Sequence, residues 1–428
     1  MSEPLSYGSM TTILEKTEAN KRFEVARQCP SIDKAERATP LWIDYLKLQR
    51  ESGPSILKIN GTTYTIGTVR VYPERVDIPS WHETDNERGG VFHDFDQFGM
   101  NRENDDSERG PQMEPEVDFD WEQFEWDEMH FHGQSLYIDY RGYRRSDYPD
   151  LTGITMMYKN DGYVDWIDSL QSSKEELQNQ YNTRDNRRVP YKPMSQLTVE
   201  SPNGEKRIKR SSKKLHECEN KLFKRLFANR KSINVQCLEI DYPYDIPNFH
   251  SDLKKLKVQE LKLGFTSQEV LDSVEQLIDN VPLKKVTLKK YLECPEHNII
   301  KSAETLEISH LHGSISRELR RVENRKVIFR EDVYEENSYS DAIRRWIEKK
   351  HPIGSYCSVI LKGGKAISRT MKELESDGIR SDQRCVNIQN DDGSMVRVTY
   401  EPDNSMDRVT NELETEPTWS LKWEVVAS

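Results

Sequence analysis

The chain has 428 residues, enough for two or three domains and a substantial buried core. Only 35% are hydrophobic and 32% are charged, so the surface must be dense with charge and some loops are expected to be mobile. The net charge of −12 comes in blocks: residues 101–129 hold twelve acidic residues and two basic ones, and residues 205–231 hold eleven basic residues and three acidic ones. Such blocks attract each other within one molecule or recruit separate partners. The six cysteines are scattered without a CxxC pair, as expected of reduced thiols. There is no N-terminal apolar h-region and no apolar run near 18 residues, which predicts a soluble intracellular chain, in cytosol or nucleus, with no membrane partner.

In chain order, Pro4 and Ser6 can open a first helix whose Met10, Ile13 and Leu14 share one face. Asn20 is read as the N-cap of a second helix carrying Phe23, Val25 and Ala26. Ser31 caps a third, which Pro40 stops before the alternating run Leu41–Leu48. Residues 56–66, centred on Asn60-Gly61, signal a β-hairpin, and Val69 to Tyr72 extend its sheet. From about Pro73 to Ser146 periodicity is lost, and part of this stretch is expected to be irregular. Phe119, Trp121, Phe124 and Trp126 in that acidic tract suggest a piece that docks.

Periodicity returns at Leu197–Ser201, a strand ending in the turn Pro202-Asn203-Gly204. Leu215, Cys218, Leu222, Leu226 and Phe227 then mark an amphipathic helix. Five short strand-like units follow, in which Leu238, Leu261, Val286, Leu306 and Val327 recur at steps of 23, 25, 20 and 21 residues. A helical pattern, Val270-Leu271, Val274 and Leu277-Ile278, lies between the second and third. A strand plus connector at this period predicts a leucine-rich-repeat-like array, degenerate because the usual asparagine or cysteine ladder is missing. Leu41–Leu48 could join the same sheet. The chain closes with a helix around Ile343, Trp346 and Ile347, strands near Tyr356–Leu361, Cys385–Ile388, Met395–Tyr400 and Trp419–Val426, and a helix around Ala366–Leu374. That reads as an α+β cap.

Several islands resemble a nematode-expanded family of F-box-type proteins with an uncharacterised F-box-associated domain. They are the wording of residues 4–48, three short helices feeding a β segment; Asn60-Gly61-Thr62-Thr63-Tyr64; and Gly89-Gly90-Val91 with Asp94, Asp96 and Phe98-Gly99. Lys221-Leu222-Phe223 with Leu226-Phe227 and Asn229-Arg230, then Trp346-Ile347-Glu348 with Pro352–Tyr356, and finally Leu421–Val426 continue the likeness. The resemblance implies an adaptor of a cullin-type ubiquitin ligase, a binding module rather than an enzyme. It implies that Pro4, Leu5, Ile13, Leu14 and Phe23 bury in a ligase adaptor protein. The alternative is that these same residues pack on the protein's own sheet. The chain departs from a standard F-box in its short helices and in Glu24-Val25-Ala26, which replaces the usual acidic-leucine step.

No catalytic, cofactor or metal site is predicted. His130-Phe131-His132 and His310-Leu311-His312 each place two imidazoles on one side of a strand, but no further ligands fall at a recognisable spacing. Gly363-Gly364-Lys365 lacks the phosphate-loop frame, and no GxSxG or HExxH is present. The cluster Lys206–Lys214 reads as a solvated turn, with nuclear import or a phosphate contact as alternatives. Lacking aromatic platforms in an acidic chain, it does not lead us to expect a nucleic-acid partner. The expected organisation is an α/β chain: an F-box-like segment at 1–40, a hairpin-containing associated region at 41–100, an acidic insertion at 101–150, a repeat-like β/α body at 151–335 and an α+β region at 336–428. The function expected is protein–protein interaction, either as substrate-recognition adaptor or as a repeat scaffold without ligase coupling. By strand alternation Glu239, Lys262, Thr287 and Glu307 line the face for an unknown client protein.

Overall fold

Among the described residues, short β-rich segments separated by helices assemble into a sheet of fifteen strands. The computed structural model describes residues 7–50, 53–102, 179, 182–183, 186–241, 255–279, 282–289, 296–309, 315–330, 339–362, 364–402 and 418–428. They fall into two compact units, one of Met1–Arg70, Asp85–Phe92 and Met194–Ser428, the other of Val71–Thr84 and His93–Pro193. The chain is thus α/β, but most of its regular structure is sheet.

The strands are β1 (Leu41–Arg50), β2 (Ser55–Ile59), β3 (Thr62–Val71), a separate pair β4 (Asp94–Phe95) and β5 (Asn101–Arg102), β6 (Lys192–Glu200), β7 (Lys206–Ser211), β8 (Ile233–Ile240) and β9 (Lys257–Leu263). Then come β10 (Lys285–Leu288), β11 (Thr305–Ile308), β12 (Lys326–Phe329), β13 (Tyr356–Lys362), β14 (Ile379–Asp382), β15 (Cys385–Gln389), β16 (Ser394–Pro402) and β17 (Thr418–Ala427). The helices are α1 (Tyr7–Lys16), α2 (Ala19–Gln28), α3 (Asp33–Ala38), α4 (Ser80–Arg88), α5 (Leu215–Phe227), α6 (Gln268–Leu277), α7 (Asn298–Lys301), α8 (Ile315–Glu318), α9 (Ser340–Glu348) and α10 (Lys365–Leu374).

In space the order is β14-β15-β16-β17-β13-β12-β11-β10-β9-β8-β1-β2-β3-β6-β7. The middle seven, from β13 to β1, run parallel, and both flanks are antiparallel. Their register aligns Leu46, Leu238, Leu261, Val286, Leu306, Val327 and Cys357 in one row. In β1, β8 and β9, with Leu256 just ahead of β9, the buried residues follow apolar-x-apolar-x-x-apolar-x-apolar: Leu41, Ile43, Leu46 and Leu48; Ile233, Val235, Leu238 and Ile240; Leu256, Val258, Leu261 and Leu263. Each is 2% exposed or less. A strict two-residue period would turn the second pair to the opposite face, so the strand must step midway. In β1 the step is held by Asn60, whose side-chain oxygen accepts from the backbone N–H groups of Asp44 and Tyr45. Asn60 itself sits at φ 51°, where asparagine is well tolerated, and closes the β2–β3 hairpin.

Helices cover the apolar side. Ser267 caps α6 by accepting from the Val270 N–H, and Val270, Leu271, Val274 and Leu277 face inward. Ile299 of α7, Ile315 of α8, Trp346 of α9 and Met371 of α10 join the same core as the strand ladder. Burying each such side chain contributes about 1.5–3 kcal/mol. Three residues before the apolar-row member, where β9 has Val258 and the segment before β10 has Leu283, β12 is preceded by Asn324. Its amide donates to the carbonyls of Ile300 and Ala303 at 2.7 and 2.8 Å, tying one connector to the next.

Some elements differ from the sequence expectation. The N-cap of α2 is Glu18, whose carboxylate accepts from the Lys21 N–H, rather than Asn20. Asn20 instead donates to the Ile59 carbonyl and accepts from the Tyr64 hydroxyl, because its neighbour on the hairpin offers longer-range partners. Pro30–Ile32 is a 3-10 turn, and α3 begins at Asp33 without a side-chain cap from Ser31. Within the stretch expected to be irregular, α4 forms, followed by Gly90 at φ 98°. A Cβ there would lie 2.4 Å from the Thr68 carbonyl oxygen, so the close backbone approach to β3 requires glycine. The cluster at Lys206–Lys214, read as a turn, is largely the strand β7.

Candidate functional site

On the side of the parallel strands away from the apolar row, alternation places a second row: Lys47, Glu239, Lys262, Thr287, Glu307, Ile328 and Ser358 stand in register across seven strands. The four client-face candidates Glu239, Lys262, Thr287 and Glu307 are therefore neighbours in one line. They are not equally accessible. Glu239, Thr287 and Glu307 are 6%, 5% and 7% exposed, whereas Lys262 is half-buried.

Longer side chains cover the two carboxylates. The Tyr45 hydroxyl donates to Glu239 Oε2 at 2.8 Å, and Lys289 Nζ donates to its Oε1 at 2.7 Å. Lys47 adds an ion pair at 3.3 Å, and both lysines also reach Asp241, at 2.5 and 3.2 Å. Burial alone would raise the Glu239 pKa, but the bonds from Lys289 and Tyr45 and the charges of Lys289 and Lys47 outweigh it and bring it to about 2. Burial and the Glu239 bond push the Tyr45 phenol well above its usual range. Burial would lower the pKa of Lys289 and of Lys47, yet the paired carboxylates leave both raised. Glu307 forms ion pairs with Lys285 at 2.9 Å and with Arg330 at 3.1 Å.

The carboxylates thus lie beneath, and ammonium and guanidinium groups lie above them. Lys47, Lys285, Lys289 and Arg330 are each more exposed than the carboxylates they pair with. Lys262 has no ion-pair partner among the described residues.

The N-terminal helices are joined to this body by buried charge. Glu36 of α3 accepts from Arg22 of α2 at 3.1 Å and from Arg230 at 2.7 Å, and all three are nearly inaccessible. Arg22 also donates to the carbonyls of Pro40, Glu36 and Thr39, and Arg230 to that of Leu226. Burial pulls both arginine pKa values below the usual range. Arg37 reaches across to the Ala228 carbonyl at 2.5 Å. Of the adaptor-binding candidates, Leu14 is 4% exposed, and Phe23 packs on the core beneath the Arg230 guanidinium, 5.1 Å from the ring centre. Ile13 stands out at 52% exposed, with Tyr7 and Val25 also exposed. Pro4 and Leu5 lie outside the described residues, as do His130, His132, His310, His312 and the acidic aromatic stretch with Phe119, Trp121, Phe124 and Trp126.

A cavity of about 20 Å³ beside β1, β2 and α5, lined by Leu48, Ser55, Leu57, Leu222 and Phe223, has room for about one water and no ligand. Among the described residues no three His, Cys, Asp or Glu side chains are grouped as metal ligands. Nor is any helix among them long and apolar enough to cross a membrane. Sequence reasoning found the polar row through strand alternation. It missed the covering residues Tyr45, Lys289 and Arg330, which come from neighbouring strands and their ends.

A family model described as a domain of unknown function (DUF3557) matches residues 214–363, the stretch from α5 through β13. No curated protein and no solved structure matches the chain.

Proposed function

We propose that this protein is a non-enzymatic interaction module that holds a client protein against the polar face of its parallel strands. The observation that carries this reading is the register-aligned row that includes Lys262, flanked by paired charges and lying opposite the apolar row that the described helices pack on. Its ordered ion pairs need no rearrangement on binding, which lowers the entropic cost of recognition. In this reading the body is a leucine-rich-repeat-like array. The test is affinity capture with the wild-type chain and with Lys262→Glu. A client held by the first and lost by the second, at unchanged melting temperature, supports the reading; identical captured proteins would reject it.

A second reading adds ligase coupling, with the F-box-like helices as the adaptor surface. What favours it is the exposure of Ile13, Tyr7 and Val25 on α1 and α2. Because Leu14 is buried and Phe23 is partly buried against the core, Ile13→Asp is the fitting probe. It should abolish recovery of a cullin-ligase adaptor while sparing the client. If no adaptor is recovered with the wild type, the N-terminal helices serve the fold and the protein is a scaffold.

A further inference from the structure

The sheet ends at β7 on one side and at β14 on the other, and the two edges are finished differently. β14 is four residues long, and its register with β15 shifts between Arg380 and Asp382. Shortness and a register shift blunt an edge against further pairing. β7 instead keeps an unbroken register with β6, from Ser195 opposite Ser211 to Glu200 opposite Lys206. Its sequence is Lys-Arg-Ile-Lys-Arg-Ser, and every residue but the last is exposed.

The hairpin closes with the Ser201 N–H bonded to the Glu205 carbonyl. Antiparallel alternation then turns the backbone groups of Arg207, Lys209 and Ser211 toward β6, and those of Lys206, Ile208 and Arg210 outward. Ile208, 58% exposed, sits in the middle of this open row. Lys206 pairs with Glu200, Arg207 with Glu24 and Glu205, and Arg210 donates to Gln196. Lys209 has no carboxylate partner among the described residues.

We propose that β7 is a docking edge for an extended segment of a partner protein in which acidic and apolar residues alternate. Main-chain bonds to Lys206, Ile208 and Arg210 supply the pairing. Carboxylates on one side of the added strand meet Arg207 and Lys209, and apolar groups on the other meet Ile208. Lysines on an edge keep two copies of the chain apart. Toward a strand of opposite charge the same lysines become the selector. A nucleic-acid backbone fits less well: its phosphates are acceptors only, it has no regular row of donors spaced for the outward carbonyls, and it offers nothing apolar for Ile208.

The experiment is fluorescence anisotropy of a labelled synthetic peptide alternating aspartate and valine, titrated with the full chain. We expect saturable binding that weakens about tenfold or more with Lys209→Glu, less with Ile208→Thr, and not with the remote surface change Lys372→Glu. N-methylation of alternate peptide residues should weaken binding as strongly, since it removes donors without touching charge. No binding, equal binding of the N-methylated or a scrambled peptide, or tighter binding of a single-stranded oligonucleotide at the same salt would each overturn the proposal.

Discussion

The two rows of the parallel strands differ by one residue in sequence and by almost everything in chemistry. Leu238, Leu261, Val286, Leu306 and Val327 are fully buried and interchangeable in kind, any aliphatic group serving. Their neighbours Glu239, Lys262, Thr287, Glu307 and Ile328 share no common property, and their environments range from a carboxylate held by Tyr45, Lys47 and Lys289 to an ammonium with no ion-pair partner among the described residues. The first row is what a sheet needs in order to bury one face. The second lies outside the apolar core, and its individuality supports the proposal that it is a recognition surface.

The comparison can be broken from the structural side first. Glu36→Ala, outside both rows, leaves Arg22 and Arg230 buried without a counter-charge and should cost about 3–5 kcal/mol in denaturant unfolding. Loss of under 1 kcal/mol would mean that the N-terminal helices are not welded to the body. In the apolar row, Leu261→Ala should cost about 2–5 kcal/mol by the same measurement, through the cavity it leaves.

In the polar row, Glu239→Gln should cost less, about 1–2 kcal/mol, because Tyr45 keeps an acceptor while Lys47 and Lys289 retain Asp241. The folded Glu239 pKa lies below its usual 4.5, at about 2, so its contribution is complete above pH 4.5 and is lost as pH falls toward 2. The variant should flatten stability across that window. His351, stacked on Trp346 at 3.6 Å, behaves differently. Burial, and then the Lys349 charge, lower its pKa from 6.5 to about 4. The neutral ring is favoured in the fold, so stability should fall as pH drops from 6.5 to 4, and His351→Phe should remove that slope. Smallest of all, Lys262→Glu should change stability by no more than about 0.5 kcal/mol while altering what the protein binds. A larger destabilisation would make Lys262 part of the fold rather than of the recognition surface.

The apolar ladder was legible in the sequence because its residues recur at a nearly constant step and each must be buried. The five residues picked by spacing, Leu238 to Val327, are the ones the register aligns. Leu41–Leu48 likewise pairs beside Leu238 as β1. β7 was not legible as a strand, since an edge exposed on both faces has no apolar alternation to show. In the Arg22, Glu36 and Arg230 cluster the Glu36–Arg230 bond joins side chains 194 residues apart, and no local pattern marks such a meeting. For the same reason Asn20 looked like a cap: the competing partners on Ile59 and Tyr64 come from the hairpin, beyond any local window.

The most direct test places a photo-crosslinking residue at position 262 on the polar face and, separately, at Gln276 on the exposed side of α6. A client that crosslinks from 262 and not from 276 is the result the account predicts. Crosslinking from 276 alone would move recognition to the helical side and contradict it.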